Sequence, residues 1–408
     1  MRCRCCNLVP IDARGIFQKE CVSMRRVRYK FPCICGLLCA LLLTSAARPV
    51  SAASDETGVR VQGSGARPQL TFACCEGSIE RSQTMLATPQ VIAALQQLHA
   101  QVAVALPDFT PERAAVVHGL NAEGIPAVAW LLLPKEQGYY FNADNAPAAA
   151  SRIAAFEAWT SSEGLQWSAV GLDIEPSFAE LSALSKHRWR LIATLLGRSV
   201  NGRRMERARE AYGALIRELE RQGFVVQTYQ MPYVPAERSV HSSLPDRWLG
   251  TVDVHGNEDY LMLYTSFARM AGAGIILSLG PGAQGIAVGS TDGDTSPGSG
   301  TGPLNWDEFS RDLIVASHFS KNIGVYDLEG CVRQGFLPRM ETMDWSQSVV
   351  IPAEMVRKAG RMRRAIRVAL WIASHIVYLS VVVVATIWLV VRWWRSRRRA
   401  RQHRVAQS

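Results

Sequence analysis

Eight short apolar runs, each followed by a stretch of helical character, recur along the middle of this 408-residue chain. They cover Leu70–Cys75, Gln101–Leu106, Ile125–Leu133, Ser168–Glu175, Phe224–Gln230, Tyr260–Ser266, Gly285–Ser290 and Asn322–Gly330. The runs are continuously apolar, as parallel strands packed beneath helices are. Pro89 and Pro111 fall where first helical turns begin, a position that tolerates proline. Eight strand–helix units in one domain is the count of a closed (β/α)8 barrel. An open doubly wound sheet is the alternative, but no G-x-G-x-x-G or G-x-x-x-x-G-K-[ST] follows any strand. The expected fold is therefore α/β, a (β/α)8 TIM-like barrel, with an N-terminal signal peptide and one C-terminal transmembrane helix.

The two ends support those additions. The formal charge is +10, yet residues 1–52 hold nine Lys/Arg and residues 357–408 hold thirteen with no acid. The centre is net acidic, and no basic patch with interleaved aromatics occurs, so nucleic-acid binding is not expected. Basic residues from Met24 to Lys30 precede "FPCICGLLCALLLTSA" and a small-residue cleavage region near Val50–Ala53, the layout of a secretory signal. Val368–Val391 has no Lys, Arg, Asp or Glu and is long enough to span a bilayer. The Arg-rich tail after it places the C terminus in the cytoplasm. The expected organisation is extension and signal peptide over 1–53, linker 54–68, barrel 69–340, juxtamembrane segment 341–367, span 368–391 and cytoplasmic tail 392–408. The localisation that follows is a single-pass cell-membrane protein with its barrel outside the cytoplasm.

Seven of the ten cysteines precede residue 40, leaving Cys74, Cys75 and Cys331 in the barrel. Cys74 and Cys75 end the first strand, and Cys331 follows the eighth. Those strands are neighbours in a closed barrel, so a disulfide from Cys74 or Cys75 to Cys331 is a candidate, with a Cys74–Cys75 link or three buried thiols as the alternatives. No Cys/His spacing matches a zinc site, and neither a metal nor a cofactor is expected.

The fourth run, "AVGLDIEPS", carries Asp173 and Glu175 two residues apart at its end. Residues i and i+2 of a strand share a face, so both carboxylates point into the barrel mouth. Active sites of such barrels are built at the C-terminal ends of the strands. Two carboxylates there can divide acid and base roles. The eighth run, "GVYDLEGC", repeats the spacing with Asp327 and Glu329 on the opposite wall. Residues suited to sugar rings and hydroxyls lie near the same rim: Trp130, Tyr139, Tyr140, Phe141, Asn142 and Asn145 after the third strand, and Gln227, Tyr229, Gln230 and Tyr233 after the fifth.

"VGLDIEP" resembles the fourth-strand motif D-x-x-D-x-D-x-E of chitinase-like, family-18-type glycoside hydrolases. Asp173 and Glu175 match its last two acids, while Gly171 and Ser168 stand at the earlier acidic positions. "DYLMLYTS" resembles that family's sixth strand, with Tyr264 matching a tyrosine near the substrate. The resemblance implies a glycosidase barrel with Glu175 as general acid and Asp173 orienting it or the substrate. No G-x-S-x-G elbow is present for an α/β-hydrolase. Two readings stand: a membrane-anchored glycosidase with a surface or cell-wall polysaccharide as substrate, or a non-catalytic barrel that binds carbohydrate or a partner protein.

Overall fold

The computed structural model describes residues 58–177, 180, 186–292, 302–375 and 384–395. The expected signal peptide and positions 396–408 of the expected tail lie outside these residues, as do positions 376–383 of the expected span. Ten strands are described: β1 Val59–Gln62, β2 Gln69–Cys74, β3 Gln101–Leu106, β4 Ala127–Leu131, β5 Ala169–Asp173, β6 Val226–Gln230, β7 Glu258–Met262, β8 Gly285–Gly289, β9 Asn322–Tyr326 and β10 Ser348–Ile351. β2 to β9 form a closed, all-parallel barrel in sequence order, the expected fold. Closure is made by β2 against β9, with Leu70 opposite Ile323 and Phe72 opposite Val325.

The helices are α1 Ile79–Leu86, α2 Pro89–Gln97, α3 Pro111–Ala122, α4 Ala146–Glu163, α5 Arg188–Val200, α6 Gly202–Arg221, α7 Val234–Ser239, α8 Leu244–Leu249, α9 Gly274–Leu279, α10 Trp306–Phe319, α11 Leu328–Arg333, α12 Phe336–Glu341 and α13 Ala353–Ser374. Their starts are encoded locally. Asn305 and Glu308 form a reciprocal capping box on α10, each side chain accepting from the other's backbone N–H. Pro lies at the first helical position of α2 and α3, as expected.

Strand alternation sorts the side chains. Leu70, Phe72, Val102 and Val104 are buried beneath the helices. Each fully buried chain of this size contributes about 1.5–3 kcal/mol of hydrophobic stabilisation. The barrel interior is lined instead by Ala73, Ala103, Ala105, Val128, Trp130 and Ala169. Tyr260 fills the floor because Gly285 leaves room for it: a Cβ at 285 would sit 2.6 Å from the ring.

The structure departs from the sequence reading in three places. Within the expected linker, β1 pairs antiparallel with β10, which falls in the expected juxtamembrane segment. The two-stranded sheet clasps both flanks of the barrel, and Val61 and Ile351 are buried in it. Residues 353–367 of the expected juxtamembrane segment belong to α13, which runs on into the expected span as far as Ser374 and packs on α9 where Gly272 and Gly274 approach Met355. The eighth strand ends at Tyr326, not at Gly330, because Asp327 caps α11. Among the described residues, no helix is long and apolar enough to cross a membrane.

Candidate functional site

Asp173 is the last residue of β5 and points into the mouth, as the alternation requires. Its Oδ2 accepts from Trp130 Nε1 at 3.0 Å, while Oδ1 is buried without a hydrogen-bond partner. The chain beyond it is held by the loop that follows β4. Phe141 N donates to the Asp173 carbonyl at 3.1 Å, and Glu175 N donates to the Phe141 carbonyl at 3.0 Å. This extra rung fixes Glu175 beside Asp173.

The electrostatics follow from that placement. Burial, and then the Glu76 carboxylate, push Asp173 up to about 7, against the opposing Trp130 hydrogen bond. Burial, the Asp173 charge and the Glu76 charge push Glu175 well above the ordinary carboxylate range. Two like charges in one desolvated site cannot both ionise easily, so the pair retains a proton near neutrality.

Glu76 is the residue that the sequence reading missed. It follows Cys75, whose positive φ of 70° turns the chain at the end of β2. Glu76 accepts from the hydroxyls of Tyr326 at 2.6 Å, Tyr139 at 3.1 Å and Tyr140 at 3.4 Å. A single acid at the end of the first barrel strand was the available signal, and it lacked a paired neighbour to draw notice.

Aromatic rings cluster at the mouth. Trp130 lies edge-on to Tyr326 at 6.4 Å, and Tyr326 lies 5.6 Å from Tyr264. Tyr264 is near enough for the charges of Asp173 and Glu175 to raise its phenol, after burial. A Cβ at Gly171 would lie 2.8 Å from the Tyr229 hydroxyl, so the tyrosine occupies the space beside Gly171.

Other expected site residues are tied into the scaffold by hydrogen bonds. Gln227 donates to Glu258 on the neighbouring strand at 2.9 Å, below the mouth. Asn142 Oδ1 accepts from the N–H groups of Asp144 and Asn145, closing the rim loop. Asn145 Oδ1 accepts from Asn142 N at 2.8 Å, Tyr233 bonds Thr251 at 2.6 Å, and Gln230 donates to the Val254 carbonyl. Phe141 is fully buried.

The second acidic pair does not face the first as a matched set. Asp327 Oδ1 accepts from Gly330 N at 2.9 Å as the cap of α11. Glu329 sits on the first turn of α11 and accepts from Cys75 N at 2.8 Å and Ser82 Oγ at 3.0 Å. The D-x-E spacing shares a face only in a strand, and β9 has ended before it begins.

The candidate disulfide to Cys331 is not formed. Cys74, Cys75 and Cys331 are buried free thiols. Cys331 lies within α11 and faces Thr291 Oγ1 at 3.7 Å, whereas the Cys74 and Cys75 sulfurs are 2.8 Å apart. Burial raises the thiols of Cys74 and Cys331. Among the described residues, Cys74, Cys75 and Glu329 bring three possible metal-ligand atoms within 4.8 Å of one another.

No protein-family model matches the sequence, and no curated protein matches it. Among solved structures, the chain is similar to a GH18 chitinase from Pseudoalteromonas aurantia, at 11% identity and a TM-score of 0.41 over 67% of this chain and 98% of that one. It is also similar to the PgaB (BpsB) glycoside hydrolase domain from Bordetella bronchiseptica, at 10% identity and 0.42 over 68% and 99%. A mutant tryptophan synthase α-subunit from Pyrococcus furiosus matches at 11% and 0.33 over 69% and 97%. At these identities no activity passes from any of them to this chain.

Proposed function

We propose that the barrel is a glycoside hydrolase in which Glu175 is the general acid. The observation that carries this reading is the Asp173–Glu175 pair, buried at Asp173 and half-buried at Glu175, whose carboxyls are both raised by desolvation and by acidic neighbours. A carboxyl that keeps its proton near neutrality can protonate a glycosidic oxygen as the bond breaks. Asp173, held by Trp130, orients Glu175 and raises its proton affinity. Glu76, fixed by three phenols, supplies negative charge for the oxocarbenium-like centre that develops on the sugar. Trp130, Tyr139, Tyr140, Tyr264 and Tyr326 form walls on which a sugar ring stacks.

The reading includes export and anchoring to the cell membrane, with the barrel outside and the tail inside. Its support is the helical stretch 384–395, in which Val384, Ile387, Trp388, Leu389, Val390, Val391, Trp393 and Trp394 are all exposed. A helix apolar on every side is not stable in water and calls for a bilayer or a protein interior. A surface or cell-wall polysaccharide is the substrate class consistent with that location.

One observation favours a second reading, a barrel that binds carbohydrate without cleaving it: Gly171 stands where the resembled motif has an acid, and Tyr229 fills the space beside it. Incubating the detergent-solubilised full chain with a panel of labelled glycans separates the two. Shortened products support hydrolysis. Saturable binding with unchanged glycans supports the second reading and overturns the first.

A further inference from the structure

α5 presents an apolar stripe to solvent. Trp189 is 83% exposed, Leu196 64%, Val200 85% and Ile192 45%. With Ala193, which is also exposed, these positions fall within about 100° of arc at 100° per residue. Leaving so much apolar surface in water along one helix face is costly, at about 25 cal/mol per Å². Lys186 and Arg190 are exposed beside the stripe.

A second stripe lies at the end of α13, where Val368, Trp371 and Ile372 are exposed at helical spacing. The exposed Arg361, Arg364 and Arg367 precede it. α8 links the two helices. Trp248 Nε1 donates to Ser199 Oγ at 2.7 Å, and Arg198 donates to the Trp248 carbonyl at 2.9 Å, joining α8 to the end of α5. Ser374 Oγ donates to Ser242 Oγ at 2.8 Å, seating the end of α13 just before α8. Both stripes therefore emerge from one edge of the molecule. α5 follows the C-terminal end of β5, which puts this edge on the side of the barrel that holds Glu175.

We infer that this edge docks on an anionic bilayer surface, with the α5 stripe lying among the lipid headgroups. Three observations select a membrane over other occupants. The flanking charges on both stripes are basic, complementary to anionic lipid headgroups on the face of the bilayer that the barrel adjoins. Tryptophan beside arginine on an amphipathic helix is the composition of an interfacial helix. The chain leaving α13 continues into the uncharged Val368–Val391 segment, so this edge already adjoins the proposed anchor. The inference rests on the anchoring reading given above. It adds that the barrel mouth is held at the bilayer by a second contact.

The test is photocrosslinking of the full chain in nanodiscs of mixed phosphatidylcholine and phosphatidylglycerol. A benzoylphenylalanine residue is placed at position 196, at position 388 in the proposed anchor, or at the exposed position 163 at the far end of α4. Docking predicts lipid adducts at 196 and none at 163, with loss of the 196 adduct in Trp189→Asp/Val200→Asp. A lipid adduct at 388 without one at 196 overturns docking and leaves anchoring in place. Absence of lipid adducts at both positions overturns both. A protein–protein adduct at 196 assigns the stripe to a second copy of the chain and also overturns docking.

Discussion

At the scale of single residues, the proposed acid chemistry depends on a proton kept by the Asp173–Glu175 pair. The Asp173 charge is the second cause, after burial, that raises Glu175. On the proposed reading Glu175 must carry its proton, so kcat/KM should fall as pH rises through the dyad's upper apparent value. Asp173→Asn removes the neighbouring charge, lowers the proton affinity of Glu175 and should move this basic limb to lower pH. A pH–rate profile of the variant checks it, and a limb that stays in place would remove Asp173 from the coupling. Asp173 also makes a stability prediction. Its folded value of about 7 lies above the 3.8 of an ordinary aspartate, so the native state holds a proton that the unfolded chain releases. Stability contributed by that proton is present below the unfolded value and is lost as pH rises through 7. Thermal unfolding of Asp173→Asn should therefore lack this loss between about pH 4 and 7. The D-x-E pair was legible because both acids end one apolar run. Glu76 was not, because its partners Tyr139, Tyr140 and Tyr326 come from distant segments.

At the scale of elements, the eight barrel strands were legible because each is an unbroken apolar run between helices. β1 and β10 were not, since each is four residues long with one buried position. Strand ends were harder still. The chain around Asp327 reads as strand until the cap of α11 is seen. The excursion formed by α7 and α8 holds a second buried carboxyl pair, Glu237 and Asp246. Burial and the Asp246 charge push Glu237 up to about 10. The native state again binds the extra proton, so stability falls as pH rises from the unfolded value toward 10. Glu237→Gln keeps a donor toward Asp246 with no proton to lose. Its melting temperature should exceed that of the wild type by a few degrees at about pH 9, with the gap closing toward pH 5. A constant gap across pH would show that Glu237 does not titrate in the fold.

At the scale of the whole molecule, a closed barrel is clasped by its own flanks through β1 and β10 and continued by α13 toward an apolar segment. The anchoring reading predicts that protease added outside intact cells removes the barrel, while a reporter fused after Ser408 stays protected. Protection of both would place the barrel inside the cell. The account stands or falls, however, on acid catalysis by Glu175. The most direct measurement compares wild type and Glu175→Gln on two glycosides of one sugar, one with a poor leaving group and one with an activated aryl leaving group. Loss of a general acid should slow the poor leaving group by about 10²–10⁴-fold while cleavage of the activated one is largely kept. Equal rates for the two enzymes on the poor leaving group would contradict the assignment.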